Sequence, residues 1–263
     1  MNIFKKKIIA CSLFAFLVTY TIYNQIDSQT NKLKVVYTDW FPYTYEKNGE
    51  ALGFEIDILK AVLKKMNMDA EFVKYPWKRC LSNLEYGQAD VLVSLLKTPE
   101  REKYTYFPDT HISISKTVFF TKRDTEINFN GSYQDLKPYS IGVIAGFSYG
   151  EVFDKADYLT KDLAHNPQML IRKLMNGRHE LAAENKAVIT GYASQMGVRD
   201  KIKFLVPPIH TQKLYVGFSK AREVKKLCDD FSKTLLEFKS TDEYGKIFEK
   251  YGIDPLDMTE SIN

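Results

Sequence analysis

Val91-Leu92-Val93-Ser94-Leu95-Leu96-Lys97-Thr98-Pro99-Glu100-Arg101 decides the fold when it is set beside Ser140-Ile141-Gly142-Val143-Ile144-Ala145-Gly146-Phe147-Ser148-Tyr149-Gly150. Each stretch reads as a buried apolar strand that ends in a polar turn and opens a short helix. Ligands of open α/β sheets gather at the carboxyl ends of strands, where backbone N–H groups at a helix start favour anions. Two such ends, both with a Ser and one with an Arg, imply two lobes that close on one small anionic molecule.

Upstream, Lys34 to Tyr37 reads as a strand. Phe54, Ile58, Leu59, Val62, Leu63 and Met66 recur at helical spacing, which predicts a helix from about Phe54 to Met66 after Gly53. A strand over Ala70–Val73, a helix over about Trp77–Tyr86 and a strand over Asp90–Ser94 complete an alternation expected of a parallel α/β sheet. Ser113 to Lys122 reads as a strand leaving the first lobe. The pattern then restarts: a strand over Ser140–Ala145, a helix from about Tyr149, a helix over Pro167–Met175, a strand over Leu181–Ala183, a helix over Lys186–Gln195 and a strand over Lys203–Val206. Leu214 to Phe218 reads as the return crossing, followed by helices containing Val224–Phe238 and Asp242–Tyr251. The expected class is a two-lobed α/β fold with a discontinuous first lobe: 28–122 and 214–263 form lobe one, 123–213 lobe two. Hinges are expected near Thr117–Phe120 and Leu214–Gly217.

The chain has 263 residues, 44% hydrophobic and 27% charged, a globular composition. Lys5, Lys6 and Lys7 precede an apolar run from Ile8 to about Tyr23, which reads as a secretory signal over residues 1–27. The alternative is an uncleaved membrane tether, but the run is shorter than the ~20 residues that a spanning helix needs. The expected location is therefore the periplasm. Net charge is +4, and removing Lys5, Lys6 and Lys7 leaves +1. With no basic stripe, nucleic-acid binding is not expected. Cys80 and Cys228 would remain after cleavage, either paired or as two buried thiols. His111, His165, His179 and His210 lack metal-ligand spacing. No metal and no cofactor are expected.

Several motifs in fixed order carry a resemblance: Trp40-Phe41-Pro42-Tyr43, Gly53-Phe54-Glu55-Ile56-Asp57-Ile58, Gly87-Gln88-Ala89-Asp90, Thr98-Pro99-Glu100-Arg101, Gly177-Arg178-His179-Glu180-Leu181 and Phe218-Ser219-Lys220. Together they make the chain resemble the bacterial family-3 extracellular solute-binding proteins, periplasmic binders of polar amino acids. The resemblance covers nearly all of the chain after the leader. It implies the two-lobed type II periplasmic-binding fold, a small-molecule solute as ligand, a permease of an ABC transporter as partner, and a monomer.

The resemblance also implies site residues. Trp40 and Trp77 match aromatic rings that face the ligand, and Arg101, helped by Ser94, matches the group that holds its carboxylate. Ser148 matches the hydroxyl of the second lobe. The family's usual Asp for the ligand ammonium is Asn185 here, with Glu184 beside it, and Leu96 replaces a second hydroxyl. Arg79 and Tyr149 are weaker candidates, one or two positions away. Read without the resemblance, Arg101 among Lys97, Glu100, Glu102 and Lys103 is a solvated surface side chain; the alternative for the tryptophans is core packing, though Trp40 beside Pro42 in a turn and Trp77 beside Pro76 at a helix start are not typical core positions, and the alternative for Ser148 is a helix cap. The chemistry suits binding: a guanidinium grips a carboxylate bidentately, and flat rings sandwich an apolar or cationic group. The rival reading is a dehydratase-like enzyme of the same fold with Glu184 or Glu180 as general acid. A ligand-sensing domain is a further alternative. No nucleophile–base pair is visible in the sequence.

Overall fold

A computed structural model of the protein describes residues 32–258; the expected signal segment lies outside them. The first lobe opens with β1 (Leu33–Tyr37), a hairpin of β2 (Tyr45–Lys47) and β3 (Glu50–Leu52), and α1 (Phe54–Lys65). The hairpin turns at Asn48 and Gly49, with φ of 55° and 79°, the left-handed pair that matches the twist of the flanking strands. Then follow β4 (Ala70–Lys74), α2 (Trp77–Glu85), β5 (Val91–Leu95), the two-residue β6 (Thr105–Tyr106) and β7 (Ser113–Lys122).

The second lobe contains β8 (Ser140–Ile144), the single-turn α3 (Glu151–Asp154), β9 (Thr160–Ala164), α4 (Pro167–Met175), β10 (Leu181–Asn185), α5 (Lys186–Gln195) and β11 (Ile202–Phe204). The return runs through β12 (His210–Ser219), α6 (Lys225–Lys239) and α7 (Asp242–Lys250). The helix expected from Tyr149 starts at Glu151 instead, because Gly150 adopts φ 109°, which no right-handed helix accepts.

One continuous sheet runs β4-β1-β5-β12-β7-β10-β8-β9. β1 is parallel to β4 and β5, and β8 is parallel to β9 and β10. The two parallel halves are joined by the antiparallel pair of β12 and β7. β12 pairs with β7 through His210–Leu214 against Thr117–Ser113, then with β5 through Tyr215–Phe218. β7 continues against β10 through Thr117–Thr121. The two strands therefore cross between lobes about four residues earlier than the sequence suggests. β12 extends back to His210 because its polar start, His210-Thr211-Gln212-Lys213, finds ladder partners in β7.

The alternation of strand side chains divides the core. Val35 of β1 packs under α1, α6 and α7 with Phe54, Leu59, Phe231 and Phe248, while Val36 packs on the opposite face with Cys80 and Leu84 of α2. In lobe two, Phe119 joins Ile141, Phe153 and Leu181, and the adjacent Phe120 joins Leu170, Leu174 and Ile189 on the other face. Both lobes thus carry helices on both faces of the sheet, the arrangement that exposes the strand ends as a ligand rim. Cys80 and Cys228 are free, buried thiols in separate clusters. Among the described residues no helix is long and apolar enough to cross a membrane.

Candidate functional site

The site begins where β1 ends. Trp40 and Thr44 exchange backbone hydrogen bonds of 2.6 and 3.1 Å, closing a tight turn. The turn packs against the start of α1, where Gly53 has φ 121° and an added Cβ would meet the Tyr43 carbonyl oxygen at 2.2 Å. Inside the turn the Trp40 indole stacks on buried Tyr43, centroids 4.0 Å apart and planes within 8°. A ring held this way has little rotamer freedom left to lose when a ligand covers it.

Trp77 opens α2 and faces the segment after β5. Arg101 Nη1 donates to the Leu96 carbonyl at 2.9 Å, and its guanidinium lies 5.3 Å from the Trp77 ring centre. Ser94 holds φ 69°, an unusual backbone conformation for a residue with a side chain. Its Oγ is buried with no hydrogen-bond partner of good geometry. Trp40, Trp77, Ser94, Leu96 and Arg101 line one chamber of about 360 Å³, together with Thr38, Asp39, Thr44, Gln212 and Leu214.

A larger chamber of about 530 Å³ shares Asp39 and Trp40 with the first and spans both lobes. Lobe one supplies Phe41, Tyr45, Glu46 and Lys47. Lobe two supplies Phe147, Pro167, Glu184, Val188, Tyr192 and Gln195. Phe41 reaches across: its ring centroid is 4.9 Å from that of Tyr192, and a Cβ on Gly191 would lie 2.5 Å from Phe41 Cε1. The glycine inside α5 is thus explained by the close approach of a ring from the other lobe.

Glu184 is 5% exposed. Its Oε1 accepts from the Asn185 N–H at 2.7 Å and its Oε2 from Tyr149 Oη at 3.5 Å. Desolvation raises its carboxyl to about 7, against the pull of those two donors. No cation pairs with it among the described residues. Asn185 has a different role. Its Oδ1 accepts the Val188 N–H at 3.1 Å as the N-cap of α5, and its Nδ2 donates to Ser115 Oγ at 2.8 Å and to Tyr43 Oη at 3.0 Å. It ties lobe two, a crossing strand and lobe one together, and it lines neither chamber.

Three further sequence candidates also lie off the chamber walls. Ser148 is exposed and donates to the Asp154 carboxylate. Tyr149 is a buried residue of lobe two whose hydroxyl accepts from the Ile144 N–H at 2.8 Å. Arg79 is exposed with its guanidinium 4.6 Å from the Tyr75 ring centre. Glu180, the other suggested acid, accepts from the Ser140 N–H on the exposed side of the lobe. Sequence reasoning missed Asp39, Phe41, Tyr192 and Gln212. Asp39 and Phe41 flank Trp40 in the same turn, and Val188, Tyr192 and Gln195 recur at helical spacing on α5, so those signals were present. Gln212 carried none. A second buried acid was also missed: Glu55 of α1 is fully buried, accepts from Ser113 Oγ at 2.5 Å, and is raised to about 7 by desolvation.

The geometry has known counterparts. The chain is 26% identical over 253 residues to an arginine-binding periplasmic protein of Mannheimia haemolytica, covering 94% of this chain and 98% of that one. It is 27% identical over 215 residues to a probable histidine-binding protein of Neisseria gonorrhoeae, covering 78% and 76%. Among solved structures, the substrate-binding protein of a polar amino acid ABC uptake transporter from Streptococcus thermophilus superposes with a TM-score of 0.73 at 22% identity, covering 89% of this chain and 90% of that one. Two lobes, crossing strands and an interlobe cleft are thus a shared architecture, and residues 33–254 match the pattern of one family throughout. The chain is a solute-binding protein and belongs to the bacterial extracellular solute-binding proteins, family 3.

Proposed function

We propose that the chain captures a small carboxylate-bearing, amino-acid-like solute between its lobes in the periplasm and presents it to the permease of an ABC transporter. The observation that carries this reading is the convergence of Trp40, Trp77, Ser94 and Arg101 on one chamber of the interlobe cleft. Arg101, anchored by Leu96 and covered by Trp77, suits a planar carboxylate. The relatives named for binding arginine and histidine support an amino-acid-like ligand with a basic end. Lobe one would comprise 28–122 and 214–263, lobe two 123–213, with residues 1–27 removed as the signal. Closure about the crossing strands would then shift with ligand, because a cleft that contacts the solute from both lobes binds it better closed.

The test is a thermal-shift screen of the purified protein against amino acids, polyamines, dicarboxylates and sugar acids. A carboxylate solute at a hundredfold its dissociation constant should add about 2.7 kcal/mol. A shift confined to polyamines contradicts the reading. One observation favours a second reading, an enzyme of the same fold: Glu184 is a buried acid with its carboxyl raised to about 7. Incubating the bound solute with protein and assaying for its loss separates the two.

A further inference from the structure

Given the carboxylate-binding reading above, on which this inference rests, we propose that the cleft selects an extended zwitterion, with its carboxylate at Arg101 and its cationic group at Glu184, and that it needs no ammonium next to the carboxylate. The preferred solutes are ω-amino or ω-guanidino carboxylates and amino acids that contain them.

The argument starts from where negative charge is available. In an α-amino acid the ammonium sits two bonds from the carboxylate carbon, so with the carboxylate on Arg101 it lies in the same chamber. The one acid lining that chamber is Asp39. Its oxygens are engaged: Oδ2 pairs with Lys74 Nζ at 3.1 Å and Oδ1 accepts the Glu46 N–H at 3.0 Å. Asn185 offers no substitute. An amide carries no charge, its Nδ2 donates to Ser115 and Tyr43, and its Oδ1 caps α5. An α-ammonium in the Arg101 chamber thus meets no unpaired carboxylate.

The larger chamber differs. Glu46 there shares Lys74 with Asp39, 3.4 Å away. Glu184 has donors from Asn185 and Tyr149 but no cation. It sits among Trp40, Phe41, Phe147 and Tyr192, rings whose faces attract an ammonium or guanidinium that has left water. Arg101 lines only the smaller chamber and Glu184 only the larger, with Trp40 as shared wall. A ligand satisfying both must carry its charges apart and run its apolar stem past the indole.

Calorimetric titration with six probes tests this: arginine, 5-guanidinopentanoate and norvaline; lysine, 6-aminohexanoate and norleucine. Loss of the α-ammonium (5-guanidinopentanoate, 6-aminohexanoate) should change the Kd less than about threefold in at least one series. Loss of the distal cation (norvaline, norleucine) should weaken binding by more than about a hundredfold. Glu184→Gln should remove most of that discrimination while the variant's melting temperature stays within reach of the parent's. A hundredfold loss on removing the α-ammonium, or equal binding of norvaline and arginine, overturns the inference and leaves the carboxylate reading standing. Binding by none of the six also overturns it, and the wider thermal-shift screen then decides the carboxylate reading separately.

Discussion

At the scale of single residues, two buried carboxyls are pushed toward the neutral range for the same reason. Glu184 and Glu55 are each shifted up to about 7, chiefly by loss of water around the charged form. For Glu184 this predicts pH-dependent binding. A cationic ligand group needs the carboxylate form, so affinity should fall as pH drops below about 7, approaching tenfold per unit. Asp39, Glu46, Lys47, Tyr45 and Tyr192 share the chamber, and Tyr149 faces the carboxyl from the loop before α3. Titrations from pH 5 to 8 should give this slope in the parent and a flat profile in Glu184→Gln; a parallel profile in both assigns the effect to another group. For Glu55 the consequence is stability. The folded state keeps its proton longer than the unfolded chain, so this group's contribution is fully present below about 4.5 and lost as pH rises through about 7. The span amounts to roughly 3 kcal/mol. Glu55→Gln should narrow the difference in unfolding free energy between pH 5 and pH 8 by up to that amount, and an unchanged difference would mean that Glu55 is ionised throughout. Part of the candidate site was legible at this scale, because Trp40, Trp77, Ser94 and Arg101 stand at strand ends and helix starts, whereas Asn185, Ser148, Tyr149 and Arg79 lie off the chamber walls. Glu55 was not: an acid in the first turn of a helix reads as a charge placed against the dipole, and only the tertiary packing that sets Ser113 and Ser94 against it makes it a buried one.

Elements follow their local signals where those signals are strong. α4 and α5 start and stop as read, because Asn166 and Asn185 cap them through the N–H of Met169 and Val188, and Pro167 fixes the first turn of α4. β9 gave no signal. Thr160-Lys161-Asp162-Leu163-Ala164 is an edge strand, and its Leu163 is 58% exposed, so the polar composition that protects an edge hides the strand from pattern reading. The Asn48-Gly49 turn of the β2–β3 hairpin was a readable signal that the helical periodicity after it overshadowed. Gly191 in α5 makes a sharper point. Helix propensity favours Ala there by about 1 kcal/mol, yet a Cβ would press into Phe41 from the opposite lobe. Gly191→Ala should therefore lose the propensity gain to the Phe41 clash, leaving the variant no more stable than the parent and weakening ligand binding about tenfold or more, and Phe41→Ala added to it should recover part of both losses. Equal Kd values for parent and Gly191→Ala would mean that the Phe41 contact plays no part in closing the cleft.

For the whole molecule, one sheet with two parallel halves and two crossing strands makes a cleft and a hinge from the same residues. β7 and β12 are the path between lobes, and additional ties run beside them: Asn185 to Tyr43 and Ser115, Phe41 to α5, and the Lys186–Asp257 ion pair that links the start of α5 to the C-terminal segment. The order of strands and helices was legible because apolar runs and helical periodicity alternate without interruption. The division of the cleft into two chambers was not, because it depends on the Trp40–Tyr43 stack, a contact set by tertiary packing. The central claim is that a solute carboxylate is held by Arg101 inside this cleft. Its most direct test is calorimetric titration of the parent and of Arg101→Ala with the carboxylate solute that gives the largest thermal shift. Loss of a charge-assisted pair of about 1.5–3 kcal/mol or more predicts one-to-one binding in the parent and binding weakened from tenfold to beyond detection in the variant, at an unchanged melting temperature of the unliganded protein. The same Kd in both proteins would contradict the account.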